Sequence, residues 1–74
     1  MAIKQRCFTL EEAYLQVVKH IRPNQAIVQS TENDQLHLYE LNDRAPGVVV
    51  MMFGRAYKFV RYMEPSEVEM SDGI

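Results

Sequence analysis

Thr9-Leu10-Glu11-Glu12-Ala13-Tyr14-Leu15-Gln16-Val17-Val18-Lys19-His20-Ile21-Arg22-Pro23 is the stretch whose reading decides the fold class. Thr9 followed three residues later by Glu12 is a capping box, in which each side chain bonds the other's amide, and Glu11 and Glu12 both favour the positive end of a helix dipole. From that cap Leu10, Ala13, Tyr14, Val17, Val18 and Ile21 recur at steps of three and one, the spacing of an apolar stripe on a helix. Glu11, Glu12, Gln16, Lys19 and Arg22 fill the opposite face, and Pro23 disfavours helical geometry at Arg22. The spacing therefore predicts a helix from about Leu10 to Ile21. About three turns do not persist alone in water, so this helix requires a surface to lie on.

That surface is written downstream, where the apolar period changes to two. Ala26 to Ser30 and Gln35 to Leu41 read as strands joined by the polar turn Thr31-Glu32-Asn33-Asp34, with Leu36 and Leu38 on one side and His37, Tyr39 and Leu41 on the other. Asn42 to Gly47 is the densest turn cluster, and Pro46-Gly47 fits the central positions of a type II turn, with Gly47 at positive φ. Val48 to Phe53 is apolar throughout, which predicts a central strand covered on both faces. Gly54-Arg55 suits a two-residue type II′ hairpin leading into Ala56 to Tyr62. That turn sets Phe53 opposite Ala56, Met52 opposite Tyr57 and Val50 opposite Phe59, and puts Tyr57, Phe59 and Arg61 on one face with Lys58 and Tyr62 on the other. Ala2 to Phe8 alternates imperfectly and is a candidate edge strand. The fold class predicted is α+β: one amphipathic helix packed on a four-stranded antiparallel sheet, or a five-stranded one if the N-terminal segment joins. Residues 1–64 form the single domain in this reading, and residues 65–74 an acidic, mobile tail.

A chain of 74 residues has room for one small core, and 47% hydrophobic with 24% charged residues is the composition of a folded chain rather than a disordered one. The net charge of -2 provides no global positive field for nucleic acid or anionic lipid. The lone Cys7 can form neither an intrachain disulfide nor a cysteine-built metal cage, and the longest apolar run, Val48 to Phe53, is far short of a membrane span of about 20 residues. These features point to a reducing, cytoplasmic setting with no membrane contact. Charge is segregated: residues 23–43 contain four acids and no Lys or Arg, residues 44–62 contain Arg44, Arg55, Lys58 and Arg61 with no acid, and residues 63–74 again contain four acids alone. Blocks of alternating sign can satisfy one another within a fold.

Chemistry finds little to stand on. His20 and His37, the only histidines, lack a second ligand at a metal-binding spacing, and Cys7 lacks a positioned base. No phosphate-binding glycine loop and no nucleophile elbow is present. The reading is of no catalytic residues, no cofactor and no metal. Arg55 to Tyr62 interleaves rings with cations, so Arg55, Lys58 and Arg61 are the candidate contacts if the protein binds nucleic acid, the alternative function.

The main reading comes from a surplus of apolar surface. One short helix covers one face of a sheet, whereas the Val48 to Phe53 strand and its neighbour are apolar on two. At about 25 cal/mol per Å² the uncovered face is costly to leave wet and marks a partner site. The predicted function is therefore a non-enzymatic protein-interaction module, with Val50, Met52, Tyr57 and Phe59 as its apolar centre and Arg61 at its rim. If the helix lies on that side instead, the interface moves to Met51, Phe53, Val60 and Tyr62. The partner is a second copy, giving a homodimer, or a different protein. By analogy of type alone, small acidic domains without catalytic motifs resemble accessory products of phages and mobile elements that bind and inhibit a host protein.

Overall fold

The computed structural model describes residues 4–21, 23–44 and 46–70. Six strands and one short helix follow in the order β1 (Gln5–Phe8), β2 (Leu15–Ile21), β3 (Gln25–Ser30), β4 (Leu36–Leu41), β5 (Gly47–Met52), β6 (Arg55–Met63) and α1 (Pro65–Met70). They form one mixed sheet of spatial order β1-β5-β6-β4-β3-β2, in which β1 runs parallel to β5 and every other neighbour is antiparallel. The α+β expectation is thus overturned: among the described residues Leu10 to Ile21 is not a helix on a four-stranded sheet, and its second half is a strand of a six-stranded one.

The capping box at Thr9 is real, yet the helix it opens stops after one turn. The Thr9 amide donates to Glu12 Oε1 at 2.9 Å and the Glu12 amide to Thr9 Oγ1 at 3.1 Å. Tyr14 then takes φ +56°, its amide donating to Glu11 O at 3.1 Å while the Leu15 amide reaches Leu10 O at 2.9 Å. These two bonds are a Schellman stop, and Leu10 packs against the core that holds Leu15. Leu15 to Ile21 continues as β2, paired with β3, and Val18 is the extra residue of a β-bulge between Val17 and Lys19. A bulge sets i and i+3 on one face, so Val17 and His20 share a side as they would on a helix. The predicted stripe is nevertheless split: Leu10 and Ala13 pack against the core of Leu15 and Val28, Ile21 against that of Ile27 and Leu38, and Tyr14, Val17 and Val18 are exposed. The β-branched run Val17-Val18 favours the extended chain, which pairs with β3 while both side chains stay exposed.

The predicted β3–β4 hairpin and its Thr31–Asp34 turn are present, with Ser30 Oγ accepting from the Glu32 amide at 3.1 Å and Asn33 Oδ1 from the Gln35 amide at 3.0 Å. Gly47 has the expected positive φ, +99°, although Ala45, which opens the predicted Pro-Gly turn, lies outside the described residues. The N-terminal edge strand is also present as β1, with Ala2 and Ile3 outside the described residues.

The last hairpin turns one residue earlier than predicted. Its loop is Phe53-Gly54, with φ +52° and +75°, the two positive values of a type I′ turn rather than type II′. Val50 consequently faces Tyr57, Met51 faces Ala56 and Met52 faces Arg55. β5 is second from the edge rather than central. Val49 and Val50 are buried, whereas Val48 and Met51 are open.

Opposed residues share a face, so the registers divide the sheet into two sides. The inner side gathers Leu15, Ala26, Val28, Tyr39, Val50, Met52 and Tyr57 into one core, with Leu10 and Ala13 of the Thr9–Tyr14 turn against it. Strands β2 and β5 would stand about 19 Å apart in a flat sheet, four spacings of about 4.8 Å. Their sharing a core, and the 4.2 Å stack of His20 on Phe53, require the sheet to curl toward this side. The outer side holds the smaller core of Ile27, Leu36, Leu38 and Met63, against which Val68 of α1 packs. Part of the expected tail is therefore a lid. Pro65 at the first helical position and Glu67, whose Oε2 accepts from the Glu64 amide at 2.9 Å, start the helix.

Candidate protein-interaction surface

The fold redistributes the residues singled out in the sequence. Val50, Met52 and Tyr57 are at most 3% exposed and belong to the inner core, so the chain itself covers the centre of the predicted interface. The lid missing from the sequence reading is the curled sheet itself, closed at its mouth by the Thr9–Tyr14 turn. Phe59 remains 41% exposed beyond the edge of that core. The alternative set, Met51, Phe53, Val60 and Tyr62, is exposed throughout, but its members do not share one face.

A second bulge decides what surrounds Phe59. Tyr39 pairs with Phe59 and Leu38 with Arg61, leaving Val60 as the extra residue, after which His37 pairs with Tyr62 and Leu36 with Met63. The predicted faces of Arg61 and Tyr62 are exchanged by this insertion. Tyr57, Phe59 and Tyr62 all lie on the inner side, while Lys58 and Arg61 lie on the outer one. A strictly alternating strand cannot do this, and no signal in the sequence locates the inserted residue; the i, i+3 spacing of Phe59 and Tyr62 is the one hint.

The result is a ring cluster at the end of the sheet where the inner core runs out. His37 meets Tyr62 edge to face at 5.0 Å and Phe59 at 5.5 Å, Phe59 meets Tyr62 at 5.1 Å, and Tyr39 closes the group beneath at 5.9 Å from Phe59. Edge-to-face contacts of this kind add about 0.5–1.5 kcal/mol each beyond burial and fix the rings in place. Tyr62 is nevertheless 62% exposed. Burial holds His37 below its ordinary pKa, and its Nδ1 is buried with no hydrogen-bond partner among the described residues. Burial, then the neighbouring Tyr62, raises the Tyr39 phenol. The strand pairs across this end, Val17 with Val28 and His37 with Tyr62, carry no Asp, Glu, Lys or Arg on the inner side.

The cations are occupied elsewhere. Arg55 pairs with Asp43, whose second oxygen also accepts from the Ala56 amide. The Arg55 hydrogen bond, followed by the Ala56 amide, holds the Asp43 carboxyl below its ordinary range. Arg61 pairs with Glu67 at 2.9 Å, and Lys58 Nζ donates to the Pro46 carbonyl at 3.4 Å. The Glu64 amide, then Arg61, depresses the Glu67 carboxyl. The basic block is thus stitched to the acidic blocks before and after it. Cys7 is free and exposed on β1. Among the described residues no three His, Cys, Asp or Glu side chains are grouped to hold a metal, and no helix is long and apolar enough to cross a membrane.

Comparison of the chain with protein families, curated proteins and solved structures finds no match in any of the three. The geometry of the ring cluster is therefore what a functional reading has to rest on.

Proposed function

We propose that the protein is a non-enzymatic protein-interaction module whose contact surface is the rim formed by Phe59 and Tyr62 over His37. The observation that carries this reading is the pairing of high exposure with fixed geometry: two aromatic rings, 41% and 62% open to solvent, locked edge to face on an uncharged stretch of sheet. Rigid aromatic side chains contribute large contact area at low entropic cost and are enriched among the residues that dominate binding energy. Nucleic-acid contact through Arg55, Lys58 and Arg61 fits less well, because Lys58 and Arg61 lie on the side opposite the rings and Arg55 and Arg61 are in ion pairs.

The test is to compare wild type with Phe59→Ala and Tyr62→Ala in self-association by sedimentation and in capture of proteins from lysate, with circular dichroism as the check of fold. Loss of binding worth about 2 kcal/mol or more at each ring is expected for an anchor. Variants that fold and bind like wild type would remove the rim from consideration. Binding that survives ring truncation but collapses with added salt or nuclease would favour the nucleic-acid alternative.

A further inference from the structure

Resting on the rim as the contact surface, the structure also shows what kind of chain can sit beside it. β6 is nine residues long, but β5 pairs with it only from Arg55 to Tyr57, whereas β4 pairs along its other side from Tyr57 to Met63. Among the described residues, Phe59 to Met63 therefore has a strand on one side only, while Lys58 reaches over Pro46 and Gly47 at the start of β5. About 17 Å of backbone edge is left open, the length of an ordinary strand. Such an edge recruits another extended chain, because its amides and carbonyls lack ladder partners.

We infer that the partner is a second copy of this chain, with the two β6 strands pairing antiparallel about a two-fold axis between Val60 and Arg61. Three considerations on register single out this arrangement. A continuous sheet requires opposed residues to share a face. With Phe59 opposite the partner's Tyr62, both lie on the inner side, and Lys58 opposite Met63 lies on the outer side, since the Val60 bulge has already set those faces. Shifting the pairing by one residue in either direction opposes inner to outer. Shifting it by two opposes Lys58 to Arg61, cation against cation, or again mismatches the faces. One register remains, and it sets ring against ring twice. Because the contact is the same on both copies, it closes at a dimer.

The other edges are less suited. β1 has four residues, flanked by Lys4 and carrying Arg6. β2 turns toward its own chain through the His20–Phe53 stack. On β6 the Tyr62 carbonyl accepts from Arg61 Nη1 at 3.2 Å, which shields the edge in the monomer. On pairing, a partner amide takes that place and the guanidinium keeps Glu67.

The experiment uses the wild-type chain from about 10 μM to about 1 mM, the range in which a contact of this modest area is expected to saturate. Sedimentation should show the mass doubling, and amide exchange by NMR should show protection of Phe59 to Tyr62 rising in step while β1 and β2 amides stay constant. Tyr62→Lys, a change at an exposed position, should weaken the dimer at least about tenfold with the circular dichroism spectrum unchanged. A monomer throughout this range, or a dimer whose new protection falls on β1 or β2, overturns the proposal. Should the protein be monomeric while ring truncation still abolishes binding of another protein, self-pairing falls and the rim reading stands. Should ring truncation have no effect either, both fall.

Discussion

The strands β3 and β4 face each other through five unbroken pairs, Gln25 with Glu40 to Gln29 with Leu36, and their outer neighbours β2 and β6 each carry one residue too many, Val18 and Val60. The inner pair is straight in register and holds the deepest side chains, Ala26, Ile27 and Val28. Bulged strands bend, and the sheet curls to bring β2 back over β5. Exposed hydrophobic residues sit at the same places: Val17 and Val18 on β2, Phe59, Val60 and Tyr62 on β6. A regular ladder builds the core in this chain, and an interrupted one shapes its surface.

The comparison breaks most visibly if the regular pair is damaged. Ile27 is fully buried between β2 and β4 on the side closed by α1, and Ile27→Ala should cost about 2–5 kcal/mol, measured by urea unfolding. A loss below 1 kcal/mol would mean that the outer core contributes little. Deleting Val60 tests the other half of the contrast. Deletion leaves Phe59, Arg61, Tyr62 and Met63 alternating inner, outer, inner, outer, the faces they already occupy, so Met63 should stay in its core and the Tyr62 ring contacts to His37 should persist in NMR spectra. The expected loss is then smaller than the about 1.5–3 kcal/mol of one buried side chain. Loss of the His37–Tyr62 contact on deletion would show that the inserted residue is needed to place the ring.

This contrast also explains how far the sequence can be read. The β3–β4 hairpin was legible because alternation from Ala26 to Leu41 matches an uninterrupted ladder, and because Ser30 and Asn33 bring their own turn chemistry. The edge strand at Gln5–Phe8 was legible in outline for the same reason. β2 was not, since a true capping box opens one helical turn at Thr9 and Glu12, and Val17, Val18 and Ile21 continue its spacing in sequence although they do not share a face. The rim was half legible. Phe59 reads as an interface residue, but strict alternation sets Tyr62 on the opposite face, and Val60 breaks that alternation. Val50, Met52 and Tyr57 read in sequence as uncovered apolar surface and are core instead, because nothing in a period of two says that a sheet will curl over itself. The helix α1 had a readable start in Glu64-Pro65-Ser66-Glu67, obscured by the acidity of the residues around it.

Where the two regions touch, a proton can tell them apart. His37 belongs to the regular β4 but lies beneath the rings of the bulged β6, and burial holds its pKa below the ordinary 6.5. A histidine with a depressed folded pKa favours the neutral form. Its contribution is complete above the unfolded value and is lost as pH falls through the folded one. Stability should therefore decline as pH drops below about 6.5, ahead of a second, more acidic decline when the depressed carboxyls of Asp43 and Glu67 protonate. His37→Gln should flatten the first limb and leave the second. A first limb of the same depth in that variant would place the responsible proton elsewhere.

The smallest effect belongs to the hairpin tip, where the two regions are held together at a distance. Phe53 occupies the first position of a type I′ turn at φ +52°, a conformation that asparagine or glycine takes at lower cost than a bulky ring. The penalty of roughly 1–2 kcal/mol is borne because the ring stacks on His20 of β2 at 4.2 Å and meets Tyr57 edge to face at 6.0 Å. Aromatic contacts of this type contribute about 0.5–1.5 kcal/mol each, so strain and stacking nearly cancel. Phe53→Asn should then change stability by less than about 0.5 kcal/mol in the wild-type chain. In a His20→Ala background, where the stack is already lost, the same substitution should stabilise by about 1 kcal/mol. Equal effects in the two backgrounds would mean that His20 and Phe53 are not coupled, and that the curl of β2 toward the β5–β6 hairpin rests on the inner core alone.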